Sequence, residues 1–226
     1  MRHKKFILSA VLLLGLGLTG LNAQTVKDID GNVYKIITIG TQTWMAENLK
    51  VTKYRNGNSI PNLTDNQQWE NVTAGANRTG AYCDYENTPG NSTTYGKLYN
   101  GYAVNDPRGL APNGWHVPTK SEWATLIDYL GGKDVAGDKL KEKGNAHYTS
   151  LNTGATNETG FTALPSGDRE NIGRFGSIGR FGGWWSSTEE DIYSAWDLCV
   201  GYDFGGVVMD HGDESAGYSM RCVRDK

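Results

Sequence analysis

Four acidic residues near the end of the chain form its densest group of candidate metal ligands. They are Asp203, Asp210, Asp213 and Glu214, with His211 among them. Carboxylate oxygens are ligands that Ca²⁺ prefers, so these residues are candidate calcium ligands. The spacing matches no twelve-residue calcium loop, and an exposed acidic hairpin turn explains the same residues. Both interpretations stay open, and calcium is the one cofactor that the sequence suggests.

A second group of residues is suited to binding an organic ligand. Arginine donates hydrogen bonds to carboxylates, and a neighbouring aromatic ring can stack on the apolar face of a sugar. The ligand would be a glycan or a protein. We expect a binding face at the long loops of the second half of the chain, built from Arg169, Arg174, Arg180, Trp184, Glu189, Asp191 and Asp203.

Two of these arginines lie in a tandem repeat. Residues 172–177 read Ile-Gly-Arg-Phe-Gly-Ser, and residues 178–183 read Ile-Gly-Arg-Phe-Gly-Gly. We expect the repeat to form a surface loop, where added length costs little free energy. It is either a tolerated insertion or an extension of a recognition loop through Arg174 and Arg180, with Phe175 and Phe181 beside them. No Gly-Lys-Ser or Gly-Lys-Thr follows, so the glycines do not indicate a phosphate-binding loop.

The nucleophilic side chains lack the sequence neighbours that catalysis needs. Ser186 is not in a Gly-x-Ser-x-Gly turn, and Cys83 has no histidine partner that the sequence reveals. His147 and His211 lack a second ligand at zinc-binding spacing. We interpret His116 as a buried structural histidine that donates to a carbonyl group. The sequence therefore predicts no catalytic residue, and an enzyme remains the alternative.

The first 23 residues have the pattern of a secretory signal peptide. Arg2, Lys4 and Lys5 precede an uncharged apolar run over residues 6–18, and Leu-Asn-Ala at residues 21–23 forms a cleavage site. No cysteine lies at that site, so we do not expect a lipoprotein. We predict an exported protein in the periplasm, on the outer surface or outside the cell, with residues 24–226 as one mature domain.

The charge of the predicted mature chain excludes one class of partner. Cleavage after residue 23 removes three basic residues and no acidic ones, which leaves 19 Lys and Arg against 25 Asp and Glu, a formal charge of −6. This balance disfavours nucleic acid as a partner. No apolar run after residue 23 is long enough to span a membrane.

Three cysteines allow at most one disulfide within a monomer. In an exported protein such a bond would persist. We predict a bond between Cys199 and Cys222 if their strands are neighbours, which leaves Cys83 as a thiol.

Local patterns predict the elements that would position these residues. Residues 33–44 predict a β-hairpin that turns at Gly40. Residues 55–95 are rich in Asn, Gly and Thr and predict long loops anchored by Trp69 and Tyr82. Later strands are predicted at residues 184–187, 195–200, 206–210 and 218–224.

The middle of the chain predicts two helices. Thr119 and Glu122 have the spacing of a capping box, and a Gly-Gly pair at residues 131–132 ends the first helix. The second helix is predicted over residues 134–143, with Leu140 packed inward. We expect three lysines on it to stay in solvent, namely Lys139, Lys141 and Lys143.

Several motifs occur in an order that resembles a known family. They include Gly-Trp-His-Val-Pro-Thr at residues 114–119, Trp-Trp-Ser-Ser-Thr at 184–188 and Gly-Tyr-Ser-Met-Arg-Cys-Val at 217–223. Together with residues 28–34 and 39–49, they resemble the Fibrobacter succinogenes major paralogous domain. That family is abundant on secreted and surface proteins of the Bacteroidetes and Fibrobacter groups, and it has no settled biochemical role.

A second similarity concerns the fold. Residues 117–123, Val-Pro-Thr-Lys-Ser-Glu-Trp, are similar to a helix start in formylglycine-generating and related proteins. The resemblance implies an α+β, C-type lectin-like fold with antiparallel strands, long loops and two central helices. We expect a secreted or surface-exposed, non-enzymatic domain that binds a glycan or a protein. The alternatives are an enzyme or calcium-dependent protein using the same face, and a purely structural surface component.

Overall fold

The computed structural model describes residues 24–72, 78–149 and 151–226. The signal peptide predicted for residues 1–23 lies outside the described residues. Within them, the chain is a mixed α+β fold of two curled, mostly antiparallel sheets with short helices. The described helices include none that is long and apolar enough to cross a membrane.

Most strands are short, and the two longest, β9 and β10, follow each other in the second half of the chain. In chain order they are β1 (Thr25–Lys27), β2 (Val33–Ile39), β3 (Gln42–Met45), β4 (Tyr82–Cys83), β5 (Leu98–Asn100), β6 (Trp115–His116), β7 (Ser166–Arg169), β8 (Phe175–Ile178), β9 (Phe181–Glu189), β10 (Ser194–Gly201), β11 (Val208–Asp213), β12 (Gly217–Tyr218) and β13 (Val223–Arg224). The α-helices are α1 (Asn66–Asn71), α2 (Pro89–Tyr95), α3 (Gly101–Val104), α4 (Lys120–Tyr129) and α5 (Lys133–Leu140), and residues 85–87 form a 3₁₀ turn.

The two sheets are built from different sets of strands. The first has the order β1-β2-β3-β13-β6, and the second has the order β11-β10-β9-β7-β12-β5-β4 with β8 paired to β7. The named strands pair antiparallel apart from β7 and β9, which are parallel through Gly167 and Gly182. The predicted hairpin at Gly40 is confirmed, because β2 and β3 pair across it and Gly40 has a φ of 59°.

Strand β9 lies between two hydrophobic clusters. Successive side chains of a strand point to opposite faces, and the indole of Trp184 packs in one cluster while that of Trp185 packs in the other. The Trp184 cluster also holds a stacked pair, Trp44 and Trp123, with ring centroids 4.7 Å apart. Helix α4 therefore joins the first sheet to the second through its buried tryptophan.

The predicted start and end of helix α4 are confirmed. The Glu122 amide donates to the Thr119 hydroxyl at 3.2 Å, and the Thr119 amide donates to the Glu122 carboxylate at 2.9 Å. This reciprocal capping box satisfies amides that have no partner inside the helix. Gly131 and Gly132 then adopt φ values of 97° and 99°, which end the helix.

The second predicted helix exists, but one of its lysines is not in solvent. Helix α5 covers Lys133–Leu140, and Leu140 is buried as predicted. Lys141 directly follows it and is fully buried, so the expectation of a solvated Lys141 is wrong. The reason is tertiary, because the loop between β10 and β11 covers this side chain with backbone carbonyl groups.

Residues 55–95 are more structured than the predicted long loops. Trp69 and Tyr82 are buried anchors as expected. The segment nevertheless contains α1, α2 and β4 within its described part. Asp65 caps α1 by accepting from the Gln68 amide at 2.9 Å.

The tandem repeat forms strands and tight turns, so the expectation of a surface loop is wrong. Gly173 and Gly179 occupy equivalent places in the two copies and both adopt positive φ, 84° and 77°. Phe175 then begins β8, and Phe181 begins β9. Each copy therefore encodes one turn followed by one strand start. The second copy also pairs with β10, through Gly182 opposite Val200.

The predicted disulfide between Cys199 and Cys222 is wrong. Cys199 lies in β10 of the second sheet, whereas Cys222 directly precedes β13 in the first sheet. All three cysteines are buried and unpaired. Burial raises the pKa of the Cys83 and Cys222 thiols to about 12, which keeps both protonated and unreactive at neutral pH.

Candidate functional site

An open cavity of about 360 Å³ lies on the second sheet, where the β8–β9 turn meets the loop that follows β10. Four of its lining residues are aromatic, and four others carry polar or charged side chains. They are Phe181, Tyr202, Phe204 and Tyr218, with Asp168, Ser177, Arg180 and Asp203. We call it the aromatic cavity.

Pairing between strands brings two predicted site residues to this cavity. Phe181 of β9 lies opposite Gly201 of β10, so the residues flanking this pair meet at one end of the sheet. The Tyr202 amide donates to the Arg180 carbonyl at 2.9 Å. The Arg180 guanidinium lies 5.8 Å from the centroid of the Tyr202 ring. Arg180 and Asp203 therefore line the same cavity, from two different turns.

The Tyr218 ring covers the floor of the cavity and packs on the β9 backbone at Gly183, which has no side chain. A Cβ atom at Gly183 would lie 3.1 Å from the Tyr218 ring, closer than such contacts normally come. The ring is also centred 4.8 Å from that of Trp185. Burial raises the pKa of Tyr218, and the neighbouring Asp197 raises it further. The phenol is therefore a neutral hydrogen-bonding group at physiological pH.

Several carboxyl groups surround the cavity floor. Burial raises the pKa of Asp168, which lines the cavity directly. Asp197 of β10 is only 3% exposed, and burial raises its pKa to about 6. Asp210 lies directly opposite Asp197 in β11 and raises that pKa further by charge repulsion. The Cys199 thiol donates to the Asp197 carboxylate at 2.8 Å and opposes the rise.

Two other predicted binding residues are buried and hold the fold together, which corrects their assignment. Arg169 is fully buried, donates to the Gly173 carbonyl at 3.0 Å and lies 4.3 Å from the Trp69 ring. Trp184 is also fully buried, and its indole donates to Asn48 at 2.8 Å. Neither side chain is accessible to a ligand.

The remaining predicted binding residues are exposed but lie elsewhere. Arg174 is in the turn before β8 and does not line the aromatic cavity. Glu189 and Asp191 lie at the opposite end of β9 from Phe181, in the turn that leads to β10. Eight residue steps of about 3.3 Å separate the two ends of β9, or roughly 26 Å. The structure therefore brings together Arg180 and Asp203 and separates them from the others.

The predicted calcium ligands are not assembled into one site. Asp203 follows one end of β10, whereas Asp213 pairs with Ser194 at the other end. Glu214 is buried and accepts from the Asn105 amide at 3.0 Å. Within the described residues, no three His, Cys, Asp or Glu side chains are grouped so that they could hold a metal ion.

His116 is a structural residue, but its partners are not those predicted. It is half-exposed, and its ring nitrogens lie 2.6 Å from Asp225 and 2.9 Å from Glu122. Burial lowers its pKa, but hydrogen bonds to the two carboxylates outweigh this and raise the pKa above 6.5. The imidazole thus bridges two carboxylates, where a bond to a carbonyl was expected.

Comparison with known families decides the identity of the chain. The sequence model of the Fibrobacter succinogenes major domain matches residues 37–224, which is most of the described chain. The chain belongs to this family. No curated protein and no solved structure matches it.

In this Fibrobacter succinogenes major domain, sequence reasoning missed most of the aromatic cavity. Tyr202 and Phe204 adjoin the predicted Asp203 and could have been considered with it. The repeat does indicate Phe181 beside Arg180, whereas Tyr218 gives no signal beyond its place in the terminal motif of the family resemblance. Asp168 gives no local signal, because only the pairing of β7 with β8 and β9 brings it to the cavity.

Proposed function

We propose that this domain is a non-enzymatic binding domain that takes a saccharide unit of a glycan in the aromatic cavity. One observation carries the proposal: an arginine and two aspartates, Arg180, Asp168 and Asp203, line the same open cavity as four aromatic rings. The volume lies in the range of small-molecule sites, about 300–1,000 Å³.

The chemistry of the lining suits a sugar ring. Aromatic faces stack on the apolar C–H face of a sugar and bury hydrophobic area. Carboxylates accept hydrogen bonds from hydroxyl groups, and a guanidinium donates several in a fixed geometry. The phenol of Tyr218 and the hydroxyl of Ser177 can do both. The cavity therefore offers stacking surfaces and complementary polar groups at once.

Binding measurements with matched variants test the proposal. A glycan array selects ligands, and calorimetry measures their affinity for wild type, Arg180→Gln, Tyr202→Ala and Arg174→Gln. Loss of a charged hydrogen bond predicts that Arg180→Gln weakens binding about tenfold or more. Arg174→Gln is the control, because it changes the same motif in the other copy, outside the cavity.

Two results would refute this assignment. Equal weakening by Arg174→Gln and Arg180→Gln would place the ligand away from the aromatic cavity. Absence of binding to any glycan, combined with capture of a protein ligand that the Arg180 variant still binds, would favour a protein-binding surface elsewhere. If no ligand of either kind bound, the structural surface component would be favoured.

A second candidate is a hydrolase that uses the same face. Its support is two carboxyl groups near Tyr218, the half-buried Asp168 of the cavity lining and the buried Asp197, whose pKa values are both raised by burial. A carboxylic acid with a raised pKa can act as a general acid near neutral pH. Chromogenic glycosides test this candidate: turnover that Asp168→Asn abolishes would support it, and absence of turnover with glycans that bind would exclude it for those ligands.

We also propose that the protein is exported before it acts. The support is the charged and apolar pattern of residues 1–23, followed by a chain with no further apolar run of membrane length. Sequencing the amino terminus of protein recovered outside the cytoplasm should begin at Gln24. A terminus at Met1, with the protein retained in the cytoplasm, would refute export.

The fold is proposed to be of the C-type lectin-like type. Support comes from the helix pair α4 and α5 packed beside the sheets, and from strands of both ends of the chain in one sheet. An experimental structure with the helix pair in a different place relative to the two sheets would exclude this fold type.

A further inference from the structure

Lys141 is a buried cation surrounded by backbone oxygens. Its ammonium donates to the carbonyl groups of Phe204 at 2.7 Å, Thr153 at 3.1 Å and Gly201 at 3.2 Å. The carboxylate of Asp138 lies 3.5 Å away. The three donors of the ammonium therefore match three carbonyl acceptors, and a nearby carboxylate balances the charge.

Such a site is unusual for a lysine, because removing an ammonium from water is unfavourable unless its hydrogen bonds are replaced. Burial lowers the pKa of Lys141, while Asp138 opposes that effect. An apolar side chain at this position would remove the hydrogen bonds that the ammonium donates to these three carbonyl groups. The conformation of the backbone at residues 153, 201 and 204 therefore depends on the charged ammonium of Lys141.

Two of the three carbonyl groups belong to the wall of the aromatic cavity. Gly201 and Phe204 both line it, and Tyr202 and Asp203 lie between them in sequence. Lys141 therefore holds both ends of the four-residue segment that carries two aromatic rings and a carboxylate into the cavity. We call residues 201–204 the cavity segment.

Helix α5 supports the next residues of the same loop. The Asp138 amide donates to the Gly205 carbonyl at 2.7 Å. Gly137 packs so closely on the loop that a Cβ atom there would overlap the Gly206 carbonyl oxygen. Helix α5 thus contacts the loop through the Asp138 amide and through the backbone of Gly137, which has no side chain, and Lys141 contributes the ammonium.

We propose that Lys141 is a positioning residue of the saccharide site, and that its buried ammonium serves as the cation that organises the cavity segment. This inference rests on the proposed function for its effect on binding, but its effect on the cavity segment can be measured without a ligand. Saccharide affinity should depend on the charge at position 141 and should be the same with added calcium or with a chelator.

Chemical rescue tests this role. Lys141→Ala removes the ammonium and the three carbons Cγ to Cε, and leaves a space that n-propylammonium can fill and n-propanol can fill without charge. We expect Lys141→Ala to weaken saccharide binding on the order of ten- to a hundredfold, as misplacement of a binding group does. Added n-propylammonium should restore affinity, and n-propanol should not. The matched control is Lys139→Ala, because Lys139 is partly exposed and pairs with Glu158 at 3.3 Å.

Amide hydrogen exchange of the cavity segment gives a readout that is independent of any ligand. Exchange in residues 202–205 should accelerate in Lys141→Ala and slow again with n-propylammonium. If Lys141→Ala does not fold alone, the same measurements on protein refolded in n-propylammonium, and on Lys141→Met, decide the question. Lys141→Met keeps the volume without the charge and should show the loss of affinity and the faster exchange.

The outcomes separate the two proposals. Wild-type affinity and wild-type exchange in Lys141→Met would overturn the role of Lys141, and so would equal rescue by n-propanol. A wild-type protein that binds no saccharide would instead refute the proposed function. In that case the exchange measurements alone would support or overturn the control of the cavity segment by Lys141.

Discussion

Replacing Asp197 with asparagine should stabilise the protein at neutral pH and leave its stability almost unchanged near pH 4. The folded-state pKa of this buried carboxyl is about 6, against an ordinary value of 3.8. The folded state therefore binds the proton more tightly, so stability falls as pH rises between these two values. Above pH 6 the ionised carboxylate costs about 3 kcal/mol of the free energy of unfolding. Asparagine has nearly the same shape, carries no charge and still accepts from the Cys199 thiol.

Denaturant unfolding of wild type and Asp197→Asn at pH 4, 5.5 and 7.5 measures the effect. The difference between the two proteins should grow with pH and reach up to about 3 kcal/mol. Asp210→Asn should give a smaller gain in the same direction, since it removes the opposing charge across the strand pair. Asp128→Asn, at an exposed position on α4, is the control. A difference between wild type and Asp197→Asn that is constant with pH would refute the reasoning.

Three further predictions concern stability. Thr119→Ala should lower the free energy of unfolding by about 1 kcal/mol in denaturant titrations, because it removes the cap of α4; an unchanged midpoint would contradict the capping box. Deleting residues 178–183 should lower the free energy of unfolding by about 3 kcal/mol or more, because it removes the start of β9. A wild-type melting temperature would show instead that the first copy of the repeat can replace the second. His116→Gln should destabilise the protein more at pH 5.5 than at pH 8.5. The pKa of His116 is raised in the folded state, so its charged imidazole stabilises the fold below pH 6.5, and this stabilisation is lost as pH rises through the folded-state pKa. Equal losses in denaturant midpoint at both pH values would contradict an ionic role for His116.

Features controlled by neighbours in sequence could be predicted. The capping box of α4 requires only that Thr119 and Glu122 be three positions apart. The turn at Gly40 needs one residue that tolerates positive φ between two apolar strands. Both signals lie within a few residues, so no knowledge of the tertiary structure is needed to detect them.

The repeat shows how the same kind of signal can mislead. The tandem duplication suggested a surface loop, but Gly173 and Gly179, two of its five glycines, supply the positive φ of two tight turns. Phe175 and Phe181 then pack as the first residues of strands. The glycines indicate where the chain turns. The residues between them form strands because they pair with β7 and β10, which lie outside the repeat.

Burial of charged residues could not be predicted because it depends on distant backbone atoms. Lys141 has a sequence environment like that of Lys139, yet it reaches carbonyl groups of residues 153, 201 and 204. Arg169 is likewise enclosed by residues from around positions 63–69. The aromatic cavity has the same origin, since its lining comes from three separate stretches of the chain, around residues 168–181, 201–204 and 218.

The position of β13 has a consequence for when the protein can fold. This strand follows every other element in chain order, yet it lies between β3 and β6 in the first sheet. Val223 pairs with Trp44 on one side and with His116 on the other. The first sheet therefore cannot close during synthesis, and contacts between such distant parts of a chain form slowly. If the protein is exported as proposed, the first sheet stays open while the chain crosses the membrane and closes only after β13 has emerged.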